Sequence, residues 1–261
     1  MKWKLRVFPQ ARDAMRSDDA IAVERCPRCG ANCASQYKFC AECGMFLRDA
    51  FVDQRSLLAM TYEGEGRNDD ARQELERVLE SAPDHVLANH LLGSLYFHEG
   101  VLEVATRFYQ KAIAVAPRFI LAHYDLGVAW YHRGNMLEAI ACFRRCLEID
   151  PHYNAAHYRL ALALFHAGQL EEALRQFEES VILTPEYLMA HYHIGVIRER
   201  RGEMQAAERA FEYSEDQAVG EVSSLFHLAV IRRAQGDVAG AEECLRRARE
   251  FGNALKVAAG R

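Results

Sequence analysis

The chain has 261 residues, of which 50% are hydrophobic and 26% are charged, so it can bury a substantial core in one large domain or two small ones. No apolar run reaches the roughly 18 residues that a membrane-spanning helix needs. The net charge of −5 is unevenly distributed, because residues 1–51 carry 9 Lys and Arg against 6 Asp and Glu, while residues 52–261 are acidic. An acidic segment of this length argues against a nucleic-acid-binding surface spread over residues 52–261.

The first predicted segment is an N-terminal extension over residues 1–20. Its opening stretch, from Met1 to Phe8, alternates charged with apolar residues and so lacks the continuous apolar region of a secretory signal. Eight cysteines, four of them at metal-ligand spacing, fit a reducing compartment better than a disulfide framework. We therefore expect the protein to be cytoplasmic.

A four-cysteine motif occupies the second segment, residues 21–48. Two Cys-x-x-Cys pairs, Cys26 with Cys29 and Cys40 with Cys43, are separated by ten residues, and a glycine follows each pair. Four thiolates at this spacing can surround one ion, and zinc favours four thiolates in tetrahedral geometry. Because so short a segment cannot bury enough surface to fold alone, the metal would supply its folding free energy.

Residues 26–47, with their Phe-Cys-x-x-Cys-Gly ending, resemble the short zinc-ribbon family. The resemblance implies one structural zinc ion per chain, bound by the four paired cysteines, in a module that contacts other molecules, which in some members include nucleic acid. Two alternatives stay open: the cysteines could be buried or redox-paired, or a rubredoxin-like site could hold iron, although such sites normally separate the two pairs more widely. The fifth thiol of the segment, Cys33, has no predicted role as a ligand.

Residues 52–255 repeat every 34 residues. The period is marked by six glycines, Gly66, Gly100, Gly134, Gly168, Gly202 and Gly236. With this glycine as position 15, repeats one to six are 52–85, 86–119, 120–153, 154–187, 188–221 and 222–255, and residues 256–261 are a C-terminal tail. Position 8 is always Gly or Ala, position 20 is always Ala, position 24 is always Leu, Tyr or Phe, and position 32 is Pro in repeats one to four.

This pattern predicts a stack of two-helix hairpins. Small residues at positions 8 and 20 let two antiparallel helices approach closely, and the bulky residue at position 24 fills the space beside them. Glycine permits the left-handed turn between the helices, and proline ends each second helix. A single hairpin cannot bury its apolar face, so the hairpins must stack into a solenoid, whereas an ordinary helical bundle has no reason to keep a strict register.

The positions and the period resemble the tetratricopeptide repeat family over residues 52–255, nearly four-fifths of the chain. The resemblance implies an all-α fold, in which six helical hairpins form a right-handed superhelix behind a small N-terminal zinc ribbon. It also implies a concave groove for a partner, because positions 2, 5, 9, 12 and 13 of each first helix line such a groove in the family.

These five positions share one face of a helix, and in the middle repeats they are rich in Tyr, Phe and His. We predict that this face binds a partner segment of apolar and hydrogen-bonding character. The predicted partner-binding residues are His90, Phe97, His98, Tyr124, Tyr131, His132, Tyr158, Phe165, His166, Tyr192 and Phe226. The alternative is that the aromatic side chains stack on one another and hold the superhelix together without a ligand. The set lacks the Lys and Asn combination of the family's clamp for C-terminal carboxylates.

Other histidines and cysteines of the repeats are predicted to be structural. Position 4 carries His123, His157 and His191, which we expect to be packed and hydrogen-bonded, whereas the histidines of position 13 would give partner binding a pH response. Cys142 and Cys146 lie four residues apart on a second helix, where they could bind a metal. The favoured interpretation is that they are small core residues, since alanine occupies the position of Cys146 in other repeats.

No phosphate-binding loop and no nucleophile elbow occurs in the sequence, so we predict that the protein is not an enzyme. The predicted function is that of a monomeric, cytoplasmic scaffold or adaptor, which binds a protein or peptide segment in the groove and uses the zinc ribbon as a second contact. The alternative is a regulatory protein whose zinc ribbon contacts RNA or DNA while the repeats recruit a partner, but nucleic acid is the less favoured ligand.

Overall fold

The computed structural model describes residues 23–25, 32–34, 54–217 and 222–259, with side chains over 54–214 and 222–251. Two short strands lie in the predicted zinc-ribbon segment. β1, Val23–Arg25, pairs antiparallel with β2, Asn32–Ala34, and Glu24 stands opposite Cys33. The four predicted zinc ligands lie outside the described residues, so the metal site stays a prediction.

The rest of the described chain is helical. It forms twelve helices with the bounds α1 Gln54–Gly64, α2 Asn68–Ser81, α3 Val86–His98, α4 Leu102–Val115, α5 Ile120–His132, α6 Met136–Ile149, α7 Asn154–His166, α8 Leu170–Leu183, α9 Leu188–Arg200, α10 Met204–Gln217, α11 Val222–Ala234 and α12 Val238–Ala259. The helices pack in consecutive pairs, and the second helix of each pair packs on the first helix of the next. This part of the chain is thus an all-α solenoid of six hairpins, as predicted. None of the described helices combines the length and the apolar character that crossing a membrane requires.

Each hairpin turns at the glycine of position 15, which has a left-handed backbone. The φ angle lies between 75° and 87° at the six glycines. In repeat two, the N–H of Gly100 donates to the Phe97 carbonyl at 3.0 Å, and the N–H of Val101 donates to the Tyr96 carbonyl at 2.8 Å. These bonds satisfy carbonyl groups that the end of α3 would otherwise leave without partners. Because a side chain is strained in this conformation, glycine recurs at every turn.

Within a hairpin, the two helices touch where position 8 meets position 24. Gly127 of α5 lies against the Phe143 ring of α6, and a Cβ atom added at Gly127 would be 2.7 Å from Cε1 of that ring. Phe143 is completely buried, and so is Ala139 at position 20 of the same hairpin. The predicted packing of small residues around one large side chain is therefore confirmed.

The buried side chains form a core that continues from one hairpin to the next. One cluster joins repeats three to five, from Phe143 through Phe177 to Ile197, and another joins repeats five and six through Phe211 and Leu228. Because neighbouring hairpins share these clusters, each repeat depends on the next for the burial of its apolar face. The first helices α1, α3, α5 and α7 also contact one another in sequence, which aligns the equivalent positions of successive repeats into rows.

The last helix is longer than the repeat pattern predicts. α12 continues past the predicted end of repeat six at residue 255 and into the predicted tail, as far as Ala259. Position 32 of this repeat is Asn253, whereas repeats one to four have proline there. Asparagine keeps its backbone N–H and does not clash with the preceding turn, so the helix can continue through this position.

Candidate partner-binding groove

The aromatic side chains of position 12 contact position 13 of the next repeat. The pairs are Phe97 with His132, Tyr131 with His166, and Phe165 with Arg200. The two ring pairs have centroids 5.6 Å apart and interplanar angles of 63° and 64°, and the guanidinium of Arg200 lies 5.0 Å from the ring centre of Phe165. These contacts brace neighbouring repeats, while the position-12 rings stay half-buried and the histidines stay exposed.

Position 5 adds a deeper row of tyrosines. Its members in repeats three to five are Tyr124, Tyr158 and Tyr192. Each of them rests on the buried phenylalanine at position 24 of its own hairpin, with ring centroids 5.7 to 5.9 Å apart. The core therefore holds these rings in place while part of each ring remains accessible. Aromatic rings fixed in this way lose little conformational entropy when they bind a partner.

A further aromatic row, at position 34, was not predicted from the helix faces. The Tyr153 ring packs against Tyr124 with centroids 5.5 Å apart, and the Tyr187 ring packs against Tyr158 at 4.5 Å. The periodicity contains a signal for this row, because position 34 is His85, Phe119, Tyr153 and Tyr187 in repeats one to four. These residues follow the proline at the end of the repeat, so they lie outside the helical face on which the prediction was based.

The predicted residues at the two ends of the groove differ from those in its middle. His90 of repeat two is only 9% exposed, and its Nε2 lies 2.7 Å from an Asp125 carboxylate oxygen. It therefore joins α3 to α5 and offers little surface to a partner. At the other end, Phe226 on α11 is 51% exposed. The predicted residues that lie together as rows of half-buried rings belong mainly to α5, α7 and α9.

Position 6 carries a charged residue that the predicted set did not include. Arg159 on α7 is half-buried, and its Nε donates to the Tyr124 hydroxyl at 3.4 Å. Tyr158 and Tyr187 lie within electrostatic range of this guanidinium, as does Tyr131. Within the described part of the chain, no carboxylate pairs with Arg159.

Family models of the tetratricopeptide repeat match four parts of the chain, residues 56–118, 120–153, 155–187 and 222–247. Two of the matched segments, 120–153 and 155–187, each coincide with one observed hairpin, while 56–118 spans two hairpins and 222–247 covers α11 and the first part of α12. The chain belongs to the tetratricopeptide repeat family. Residues 188–221 fall between two matches, although α9 and α10 form the same kind of hairpin there. In this repeat, position 11 is Arg198 instead of an aromatic residue or Leu, and position 32 is Val219 instead of proline.

Several solved structures share the fold of these tetratricopeptide repeats. PilF of Pseudomonas aeruginosa is 19% identical, with a TM-score of 0.66 over 80% of this chain and 97% of its own. PilW, a type IV pilus biogenesis factor, is 21% identical, with a TM-score of 0.62 over 76% of this chain and 91% of its own. YrrB, described as a TPR protein with an unusual peptide-binding site, is 20% identical, with a TM-score of 0.60 over 68% of this chain and 91% of its own. At these identities the likeness shows the fold, and no curated protein matches the chain.

Three tyrosines of the groove, Tyr131, Tyr158 and Tyr187, are uncharged at neutral pH, because a phenol ordinarily has a pKa near 10 and burial raises that pKa further. Burial raises the pKa of Tyr158 to about 12, and the neighbouring Tyr187 adds to this rise. Burial also raises the pKa of Tyr131 and of Tyr187, against the opposing effect of Arg159. The phenol groups around Arg159 are therefore hydrogen-bonding groups without charge.

A histidine in the same part of the groove is also neutral at pH 7. Burial lowers the pKa of His193 to about 4, and the nearby His166 contributes to the decrease. The His193 ring stacks on Phe177, with centroids 5.0 Å apart and an interplanar angle of 10°. Neither this imidazole nor the phenol groups offset the positive charge of Arg159.

The histidines of position 4 stabilise the loops between the tetratricopeptide repeats. Each places its Nε2 atom 2.9 Å from the carbonyl oxygen of the position-32 proline of the preceding repeat. The pairs are His123 with Pro117, His157 with Pro151, and His191 with Pro185. The imidazole donates to the carbonyl and so ties the start of a first helix to the loop before it. The predicted hydrogen bonds of this row are confirmed, and His123 and His157 are buried as predicted, whereas His191 is only half-buried.

Cys142 and Cys146 are core residues. Cys146 is buried and Cys142 is half-buried. Burial raises the pKa of Cys142 to about 12 and raises the pKa of Cys146 as well, which disfavours the thiolate that would bind a metal. Among the side chains that the structure describes, no three His, Cys, Asp or Glu residues are placed to hold a metal ion.

A separate cleft of about 360 Å³ lies between α8, α9 and α10. It is lined by apolar residues such as Val181 and Ile194, by the exposed Tyr213, and by an ion pair between Arg198 and Glu178 at 2.8 Å. None of the predicted partner-binding residues lines this outer cleft. Its Arg198 already has a counter-ion within the protein, whereas Arg159 in the groove has none among the described residues.

Proposed function

We propose that this tetratricopeptide repeat protein is a protein–protein interaction scaffold, which binds a segment of a partner protein along α5, α7 and α9. The observation that carries the proposal is the double row of half-buried rings on these helices. The tyrosines of position 5 rest on core phenylalanines, and the rings of position 12 are braced by the next repeat. Rings held rigidly before binding can act as anchors for a partner.

The chemistry of this surface suggests which kind of segment it binds. The rings of Tyr131 and Phe165 suit apolar side chains. The phenol groups and the exposed imidazoles of His132 and His166 supply hydrogen-bond donors and acceptors. YrrB, which shares the fold, is described as having a peptide-binding site, and this supports the same use of the repeats here. The proposed role requires no catalysis.

The proposal includes residues 21–48 as a second contact, held together by zinc. The four cysteines Cys26, Cys29, Cys40 and Cys43 match the ligand set and the tetrahedral preference of this ion. The antiparallel pairing of β1 with β2 supports a ribbon, because the first cysteine pair falls between these strands in the sequence. Bound zinc would hold the two cysteine pairs together and stabilise the segment.

Removal of two rings tests the groove. The double variant Tyr131→Ala with Phe165→Ala should weaken the binding of a native partner at least tenfold, because an anchoring aromatic side chain contributes about 2 kcal/mol or more. The partner is captured from the native host, and its affinity for the purified wild type and the purified variant is then measured by calorimetry.

Tyr213→Ala is the matched control, because Tyr213 is an exposed tyrosine that lines the outer cleft. This variant should bind the partner with the affinity of the wild type. Circular dichroism must first show that all variants keep their helical content. A folded double variant with full affinity would show that the groove is not the binding surface, and a loss confined to Tyr213→Ala would point to the outer cleft.

A further inference from the structure

Arg159 holds a permanent charge in a part of the groove that is otherwise aromatic. The side chain is half-buried, and its hydrogen bond to the Tyr124 hydroxyl is long, at 3.4 Å. Burial acts to lower the pKa of Arg159, but the hydrogen bond to Tyr124 and the nearby oxygens of Tyr187 and Tyr158 outweigh it and raise the pKa. The guanidinium is therefore charged at every physiological pH, although the groups that the described residues place beside it are the phenols of Tyr124, Tyr158 and Tyr187.

Two other half-buried arginines of the solenoid have carboxylate partners. Arg198 pairs with Glu178 at 2.8 Å, and Arg232 pairs with Glu212 at 2.6 Å. Burying part of a guanidinium without a counter-ion is unfavourable, so a partly buried arginine is normally paired with a carboxylate of the same protein. For Arg159, the described residues supply none.

Neighbouring repeats do not provide the missing negative charge at the equivalent position. Asp125, one repeat earlier, is engaged with His90 at 2.7 Å. His193, one repeat later, is an uncharged ring stacked on Phe177. The tyrosines around Arg159 are phenols, whose O–H groups can donate to an anion. The site thus combines one cation with several neutral donors.

We infer that Arg159 is the receptor for an acidic side chain of the partner segment, whose carboxylate pairs with the guanidinium among Tyr124, Tyr158 and Tyr187. This inference rests on the proposed binding role of the groove and specifies what the bound segment carries. The planar guanidinium presents parallel N–H donors that match the two oxygens of a carboxylate. The rings of position 12 on the same face favour apolar residues beside the acidic one.

A single carboxylate fits this surface better than a polyanion does. Residues 52–261 contain 31 acidic against 23 basic residues. Most of the solenoid would therefore repel a nucleic acid or an anionic membrane. One positive charge among aromatic rings instead selects a mostly apolar protein segment with one Asp or Glu.

Peptide selection on the full chain tests the inference without a known partner. The probe is a synthetic library of short random peptides with both termini blocked, and the wild type should enrich peptides with one Asp or Glu beside apolar residues. Arg159→Gln removes the charge and should abolish this enrichment, whereas Arg159→Glu should enrich Lys or Arg in its place. In a single selected peptide, Asp→Asn should weaken binding to the wild type roughly tenfold and barely affect binding to Arg159→Gln.

Arg209→Gln is the control, because Arg209 is exposed and lines the outer cleft. It should select the same acidic peptides as the wild type. The exchange of Asp for Asn in the peptide needs no protein variant, so it decides the question even if the Arg159 variants are unstable.

Three results would overturn the inference. The first is that the Arg159→Gln variant still enriches peptides with Asp or Glu. The second is that the peptides that need Tyr131 and Phe165 for binding show no enrichment of Asp or Glu. Both results leave the proposed function intact. The third is displacement of the selected peptides by a single-stranded oligonucleotide, which would assign Arg159 to a nucleic acid. Selected peptides that bind independently of Tyr131 and Phe165 would contradict the proposed function and the inference together.

Discussion

Two histidines at position 6 have the same stacked geometry but different neighbours. His193 stacks on Phe177 and His227 stacks on Phe211, with interplanar angles of 10° and 8°. The Nδ1 atom of His227 also lies 2.6 Å from a Glu199 carboxylate oxygen. No carboxylate pairs with His193 among the described side chains, and burial lowers its pKa to about 4. The stacked geometry is common to both residues, but the counter-ion is not.

The low pKa of His193 predicts that the protein loses stability in acid. The folded-state pKa is about 4 and the unfolded value is 6.5, so between these the unfolded chain binds the additional proton. The contribution of His193, about 2 kcal/mol after solvent screening, is therefore complete above pH 6.5 and is lost as the pH falls towards 4. His193→Phe keeps a ring on Phe177 and should make this loss smaller, as measured by urea unfolding over a pH series.

His152→Gln is the control for this experiment, since His152 is exposed in the loop between α6 and α7. Its unfolding should follow the pH dependence of the wild type. The His193→Phe and His152→Gln variants both keep part of the loss of stability in acid, because burial also lowers the pKa of His123. An NMR titration of the His193 ring gives its pKa directly, and a value near 6.5 would contradict the prediction.

At the scale of the helical hairpin, the close approach of the two helices in repeats two, three and five depends on the absence of a side chain at position 8. Gly93, Gly127 and Gly195 each face a large ring, and an added Cβ atom would lie 2.6 to 2.7 Å from it. Repeat four differs, because Ala161 stands at position 8 opposite Phe177 and both residues are completely buried. The spacing is therefore adjusted within each hairpin, and the repeat pattern alone does not show by how much.

Gly127→Ala should destabilise the third hairpin. The added methyl group overlaps the Phe143 ring and should lower the free energy of unfolding by about 1–3 kcal/mol. Better helix propensity offsets up to about 1 kcal/mol of this loss. The measurement is urea unfolding followed by circular dichroism.

The matched control is Gly64→Ala at the end of α1, where an added Cβ would meet no atom within 4 Å. This exchange should be neutral, or it should stabilise the protein by up to about 1 kcal/mol through a less flexible unfolded chain. If Gly127→Ala were as stable as Gly64→Ala, the Phe143 ring would have to move aside without cost.

Across the whole molecule, the character of position 11 changes from one end of the solenoid to the other. This position is Tyr or Trp in repeats one to three and Arg in repeats five and six. Arg198 and Arg232 bind Glu178 and Glu212 of the preceding second helix. Partly exposed ion pairs contribute at most about 1 kcal/mol each. The C-terminal repeats therefore depend mainly on their shared apolar cluster, and the ion pairs orient the helices.

The solenoid and the predicted zinc ribbon should respond separately to the loss of metal. Protein purified without a chelator should contain one zinc ion per chain by elemental analysis. Cys26→Ser with Cys40→Ser should abolish this zinc and leave the helical circular dichroism nearly unchanged, because the repeats have their own core. Cys142→Ala is the control variant and should keep the zinc, since Cys142 lies in α6.

Other outcomes of the metal analysis are equally informative. Protein without stoichiometric metal would contradict the zinc proposal, and one iron per chain would favour a rubredoxin-like site. A large loss of helix on chelation would show that the repeats need the metal-binding segment to stay folded.

The aromatic rows were predictable from the sequence, but their contacts were not. A period of 34 residues places position 12 of every repeat on the same face of its helix, so a row of rings follows directly. Whether the Tyr131 ring contacts His166 of the next repeat depends on the angle between neighbouring hairpins. The sequence period does not determine this angle. The tyrosines of position 34 were missed for a similar reason, since only the packed loop brings Tyr187 onto Tyr158.

The sequence by itself determined the number and the phase of the hairpins, because a left-handed glycine turn and a small residue against a large side chain are local requirements. Only the tertiary structure decided that His90 is buried against Asp125 and that Arg159 stands among tyrosines, with no paired carboxylate in the described part of the chain. Asp125 lies one repeat after His90, and Tyr124 lies one repeat before Arg159. Their distance is set by how whole hairpins pack, and that packing depends on side chains far apart in the chain.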